Sequence, residues 1–386
     1  MISLFTTRWH KLLIGSLLIV VWGLSVGCAR PQQTRQQSSF LWISDRASEQ
    51  LMVYDLQTDE VVERVEVDQQ TYLEKSQSNQ FLLLSQRPSG RIQIINTETR
   101  ETVGDKEMDA PGHTGSPPGH LGVFADGEGT AYMFSESDLE QGRLKARTID
   151  GGLPHHGNAE LVGPHVITSV KKQETEGLAK TLRVYSPGKA DREVSCARAH
   201  GHASGEGWAL FPCNGYLQWF HDDEKDHLSI EPVSYPERMG DRRLWSVSKI
   251  PESQAVVGVS GQDVVTIHGQ TGEINGFVLP KSSWGGAIGE NGRGVTVTSD
   301  GAVHLVNALQ GEILDSLPPG TLETEQADPS GPPPFHPTAV SAKTAIVASP
   351  ITNKLYQFNL RSDQIKQGNT LEFVDKPVDL AITSGR

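Results

Sequence analysis

VVTIHGQTGEI (Val264–Ile274) and VHLVNALQGEI (Val303–Ile313) are two copies of one pattern. Each is an alternating apolar run, a polar turn, and the start of a second run, which is the signature of a β-hairpin. The pattern recurs as LMVYDLQTDEVV (Leu51–Val62), IQIINTETRETV (Ile92–Val103) and LYQFNLRSDQI (Leu355–Ile365). Weaker copies are AYMFSESDL (Ala131–Leu139), LRVYSPGKADREV (Leu182–Val194) and LQWFHDDEKDHLSI (Leu217–Ile230). The turns fall at Asp55, Asn96, Ser135, Ser186, His221, His268, Asn307 and Asn359. Their spacing averages about 43 residues, the period of a four-stranded propeller blade. No amphipathic helix interrupts the region. The fold expected is all-β, a single β-propeller of eight four-stranded blades, or seven if one weak copy is not a blade. The first repeat has no room for an innermost strand, and KPVDLAITSG (Lys376–Gly385) has the alternation to supply it. The C-terminal strand then closes the ring.

Counting back some two dozen residues from each turn reaches the start of each innermost strand. That position is occupied, from the second repeat to the eighth, by Tyr72, His113, His156, His200, Trp245, Trp284 and His336. The count for His156 is longer, and the polar insertion KKQETEGLAK (Lys171–Lys180) accounts for it. Innermost strands line the central channel, so these side chains gather at its mouth or wall. His113, His156 and His200 come from adjacent repeats and can converge on one ion, since neutral imidazole is a good zinc ligand. His155 and His156 are neighbours on a strand and point to opposite faces, so only one of them reaches that ion. His202 shares a face with His200 and is an auxiliary candidate. His336 lies three repeats away in either direction and is the last candidate. Trp245 and Trp284 read as aromatics packing the channel. The remaining histidines, His120, His165, His221, His227, His268 and His304, lie off the column and read as surface or structural.

The N-terminus gives an address. Arg8 and Lys11 precede an apolar stretch, Leu12–Gly27, of 16 residues, which is short for a membrane span. It ends in Leu24-Ser25-Val26-Gly27-Cys28, which resembles the lipobox of bacterial lipoproteins. Residues 1–27 therefore read as a lipoprotein signal peptide, 28–39 as lipidated Cys28 with a polar tether, and 40–386 as the propeller. The formal net charge is −13, and losing the two cations with the signal takes it from −13 to −15. No block of Lys and Arg appears, which argues against a nucleic-acid partner. In an exported chain Cys196 and Cys213 are expected to pair as a disulfide. The rival is a zinc site built from Cys196, His200, His202 and Cys213. The GxSxG, HExxH and P-loop motifs are absent.

Three segments carry a resemblance. They are GHTGSPPGHLGVFADGEGTAYMF (Gly112–Phe134), GLPHHGNAELV (Gly152–Val162) and CARAHGHASGEGWALFPCNGYL (Cys196–Leu217). Together they resemble the AztD-type periplasmic zinc chaperones. The matching positions are His113 with the Asp126–Gly129 turn, Pro154-His155-His156-Gly157, and Cys196, His200, Gly201 and Cys213. The sequence departs at His202, where the family pattern has Glu, and it lacks the His-rich acquisition segment of some members. The resemblance implies a non-enzymatic propeller that holds zinc on channel histidines. It also implies that the ion passes to the periplasmic solute-binding protein of a zinc ABC importer. Two other readings suit a lipid-anchored, periplasm-facing propeller: a metal-free scaffold for envelope proteins, and a metal-dependent hydrolase or lactonase. The latter wants channel carboxylates and an Asn, where the column offers histidines and aromatics.

Overall fold

The computed structural model describes residues 39–174, 176–222, 227–323, 336–349, 351–372 and 375–384. The expected signal peptide (1–27), Cys28 and nearly all of the expected tether lie outside the described residues. The described chain is all-β, with one short α-helix at Glu136–Leu139. Among the described residues there are six four-stranded antiparallel sheets and one of six strands.

The repeated sequence pattern becomes a repeated turn. The amide of Asp59 donates to the carbonyl of Asp55 at 3.0 Å, Arg100 to Asn96 at 2.8 Å, Gly272 to His268 at 2.8 Å and Gly311 to Asn307 at 2.9 Å. The donor is left-handed each time, with φ of 64°, 63°, 68° and 71°. Glycine meets that need without strain, and Asp59 and Arg100 adopt it within the turn. At Gly272 a second constraint applies, because a Cβ would lie 2.9 Å from the Trp219 ring. Asx side chains close the same turns: Asp55 Oδ1 accepts from the amides of Gln57 and Thr58, and Asn96 Oδ1 from Glu98 and Thr99.

Burial follows position in the sheet. Phe81–Gln86 is buried at every residue because neighbouring sheets cover both its faces. The outermost strand of the first sheet, Glu60–Glu66, alternates exposed and half-buried residues, with Val61 and Val65 packed at the edges of two different core layers. The cores lie between consecutive sheets. One such layer sets Val162, Ile167 and Val184 against Ala209, Phe211 and Phe220.

The last strand, Pro377–Ser384, pairs antiparallel with the first, Ser39–Asp45, with Leu41 opposite Ile382. Trp42 Nε1 donates to Thr383 Oγ1 at 2.8 Å across this pair. First strands of successive sheets touch. Pro377–Ser384 meets both Thr71–Lys75 and Thr338–Val340, and Ala203–Gly205 meets both Ala159–Val162 and Ser246–Lys249. Together the first strands line a cavity of about 580 Å³. One grouping differs from the expected separate repeats. Ala255–His268 and Ile274–Ile288 run for 14 and 15 residues, and the pairing of Gly261 with Ser283 joins two repeats into the six-stranded sheet.

Candidate metal centre

His113 sits in the strand Pro111–Gly115, at a point where pairing with the next strand shifts register between Pro111 and Thr114. Such a bulge re-aims a side chain. Gly112 allows it, because a Cβ there would lie 2.3 Å from an Asp126 carboxylate oxygen. His156 precedes the strand Ala159–Val162, on a segment fixed by Asp126. The Asp126 carbonyl accepts from the His155 amide at 2.9 Å. Its Oδ1 accepts from the Gly157 amide at 3.4 Å and its Oδ2 bonds His156 Nδ1 at 2.7 Å. His200 precedes Ala203–Gly205, on the connection that leaves Cys196. Cys196 and Cys213 form a disulfide with Cα atoms 5.1 Å apart, buried between two sheets. The His200 amide donates to the Pro212 carbonyl at 3.4 Å, and the Asn214 amide to that of Ala197 at 2.9 Å. Bridge and backbone bonds together hold the connection beside the end of Trp208–Cys213.

These three segments bring one ring nitrogen from each of His113, His156 and His200 within 4.8 Å of one another. Ring centroids lie 4.3 Å apart for His113–His156, 4.7 Å for His113–His200 and 5.4 Å for His156–His200. His113 Nε2 and His200 Nδ1 are buried without a hydrogen-bond partner. An orphaned buried polar atom is costly, and a bound cation would relieve both. Burial, then the facing histidines, hold His113 well below the usual imidazole range. Burial, then Arg243, push His200 down to about 3. Both rings are therefore neutral with lone pairs available. Burial alone would raise the Asp126 carboxyl; its bonds to His156 and to Arg87 Nη1, the latter at 2.8 Å, outweigh that and hold it low. A carboxylate on Nδ1 fixes tautomer and ring and leaves Nε2 as the donor atom, as it does behind metal-ligating histidines.

The other column and candidate residues lie elsewhere. His155 faces away from His156: its Nδ1 bonds the Leu153 carbonyl at 2.7 Å and its Nε2 bonds Ser169 Oγ at 3.1 Å. His202 lies beside the three, its ring centroid 5.8 Å from that of His113, outside the cluster. Its Nδ1 bonds Glu160 Oε1 at 2.6 Å, with the two side chains 4% and 2% exposed. Gly115 makes room for this pair, since a Cβ there would meet His202 Cε1 at 2.7 Å. His336 is apart from the cluster, with Nδ1 3.1 Å from the Ala348 carbonyl. The cysteines are bonded to each other, so the Cys/His zinc alternative is set aside. Trp245 is not packed in the channel: it is 44% exposed, with the Arg243 guanidinium 4.9 Å from its ring centre. Asp126, Glu160 and Arg87 were not among the residues that the repeat pattern singled out. Asp126 stands inside the quoted Asp-Gly-Glu-Gly turn, but turn chemistry alone explains it there.

No family model matches the chain, and no curated protein does. Solved structures do. The chain is similar to AztD from Citrobacter koseri in its apo structure, with a TM-score of 0.80 at 17% identity. The match covers 91% of this chain and 99% of that one. A second structure of Citrobacter koseri AztD matches with a TM-score of 0.79 over the same shares. The dihydro-heme d1 dehydrogenase NirN in complex with DHE matches at 0.58 and 11% identity, over 88% of this chain and 74% of that one. The chain has the AztD fold. Among the described residues no helix is long and apolar enough to cross a membrane.

Proposed function

We propose that this chain is an exported zinc-binding propeller of the AztD type, which carries zinc to the solute-binding protein of an ABC importer. The observation that carries the reading is the trio His113, His156 and His200, with two of its nitrogens buried and unpartnered. Three imidazole ligands leave a fourth position for water or an incoming ligand, and an all-nitrogen set favours zinc over calcium or magnesium. His155, His202 and His336 stand outside this ligand set. The AztD fold supports the reading, as does the match of His113, His156 and His200 to that family's pattern.

The same proposal takes the ring as eight blades, because eight first-strand segments line the cavity and the long strands Ala255–His268 and Ile274–Ile288 each serve two strand positions. It places the protein on the periplasmic side, tethered through a lipidated Cys28, and gives it no enzymatic step. An exchangeable fourth ligand lets a partner displace water and draw the ion across by associative exchange. The test mixes the zinc-loaded mature protein with the apo solute-binding protein of the zinc importer from the same cell. Transfer should run faster than release to a chelator and should accelerate with partner concentration. Rates equal to spontaneous release reduce the protein to a passive store. Cys28→Ala should leave the precursor unprocessed, and unchanged membrane association in that variant removes the anchor.

A further inference from the structure

One side chain ties together the two segments that carry His113 and His200. Gln77 lies just past the strand Thr71–Lys75, in the channel wall of the neighbouring sheet. Its Nε2 donates to the carbonyl of Ser116, the third residue after His113. The same Nε2 donates to the carbonyl of Ser204, the fourth residue after His200, at 3.2 Å. Its Oε1 accepts from Lys249 Nζ at 2.5 Å. A single amide thus reaches from its own sheet to three others. Ser204 also donates its hydroxyl to Glu160 Oε2 at 2.6 Å, and Glu160 holds His202. No bond within any one sheet fixes how far the His113 strand stands from the His200 strand, since each ladder runs outward from the channel.

We propose that Gln77 is a positioning residue for the histidine trio: by bridging the Ser116 and Ser204 carbonyls, with Lys249 holding its far end, it sets the separation of His113 and His200. This rests on the proposed zinc binding by the trio. Fixing ligands before the ion arrives matters because an imidazole displaced by even a fraction of an ångström bonds poorly at the short zinc–nitrogen distance. A primary amide suits this role, because its NH₂ offers two donors for two carbonyls and its oxygen accepts from an ammonium. Glutamate at this place would keep the Lys249 contact and lose both donors.

The experiment compares the parent with Gln77→Ala, Gln77→Glu and Lys249→Met. It reads zinc affinity by competition with a chromogenic chelator, the visible absorption of the cobalt(II)-loaded protein, and thermal unfolding of the apo protein. Gln77→Ala and Gln77→Glu should each weaken zinc binding about ten-fold, the scale of lost support behind a metal ligand, and alter the cobalt spectrum. Lys249→Met leaves the two carbonyl bonds in place and should cost less. Parent affinity with the parent cobalt spectrum in both Gln77 variants would overturn the proposal. Should those variants fail to fold, Lys249→Met decides: a weaker affinity with a shifted spectrum upholds the brace, and parent values for both overturn it. A parent protein that binds no zinc is a different result, and it sinks the zinc-binding reading instead.

Discussion

The same repeat position carries two kinds of chemistry in two sets of repeats. At His113, His156 and His200 it produces a tight group with unpartnered nitrogens. At Tyr72, Trp245 and His336 it produces two exposed aromatics and one solitary imidazole, whose Nδ1 bonds a backbone carbonyl and whose Nε2 is also unpartnered. His336 resembles the trio in type and repeat position and is the more buried residue, and burial lowers its affinity for protons. It differs in having no other ligand atom gathered beside it: among the described residues the metal-capable cluster is His113, His156 and His200. A repeat position delivers a side chain to the channel mouth, but only consecutive sheets bring ligand atoms within coordinating reach.

The largest contrast should appear on removing ligands. Replacing His113, His156 and His200 together with Ala should abolish tight zinc binding, measured by metal analysis after dialysis, while His336→Ala retains it. A triple variant that keeps zinc would falsify the assignment. Asp126→Ala leaves all three imidazoles present but removes the carboxylate that holds the His156 ring, the Gly157 amide and Arg87, so affinity should fall about 10- to 100-fold. An unchanged affinity there would mean that packing alone holds His156.

Stability sharpens the comparison further. The disulfide Cys196–Cys213 spans 17 residues of sequence around His200. In the chain-entropy view, a loop of that size stabilises by roughly 3 kcal/mol. The Cys196→Ala/Cys213→Ala pair should therefore lower the midpoint of denaturant unfolding, and should weaken zinc binding through His200. The smallest expected effect concerns Asp379, in the strand that pairs with the N-terminal one. Burial pushes its carboxyl up to about 7, against bonds from the Leu73 and Leu380 amides. A carboxyl raised in the folded state contributes stability that is present below about pH 4 and is lost as pH rises through about 7. Asp379→Asn should thus flatten the fall in melting temperature between pH 5 and pH 8 and match the parent at pH 4. A parallel fall in both proteins would show that Asp379 does not titrate in this range.

Some of this was legible early because it is local. Asp55, Asn96, His268 and Asn307 mark turns whose bonding depends on five consecutive residues, so the strand pattern and its period could be read directly. Counting along that period located the column. The joining of two repeats was not legible, since pairing of Gly261 with Ser283 depends on how neighbouring sheets lie. Nor was the exposure of Trp245, which the column alone suggested would be packed.

Sequence by itself determined an all-β repeat chain, the set of histidines available at one height, and two cysteines in reach of each other. Those follow from alternation, turn chemistry and spacing, each acting over a few residues or one repeat. Tertiary structure alone decided which imidazoles meet, which nitrogen of His156 is left to bind, that His155 and His202 already have other partners, and that His336 stands apart from the cluster. Asp126 is 30 positions from His156, and Glu160 is 42 from His202. Contacts of that separation exist only once neighbouring sheets have packed.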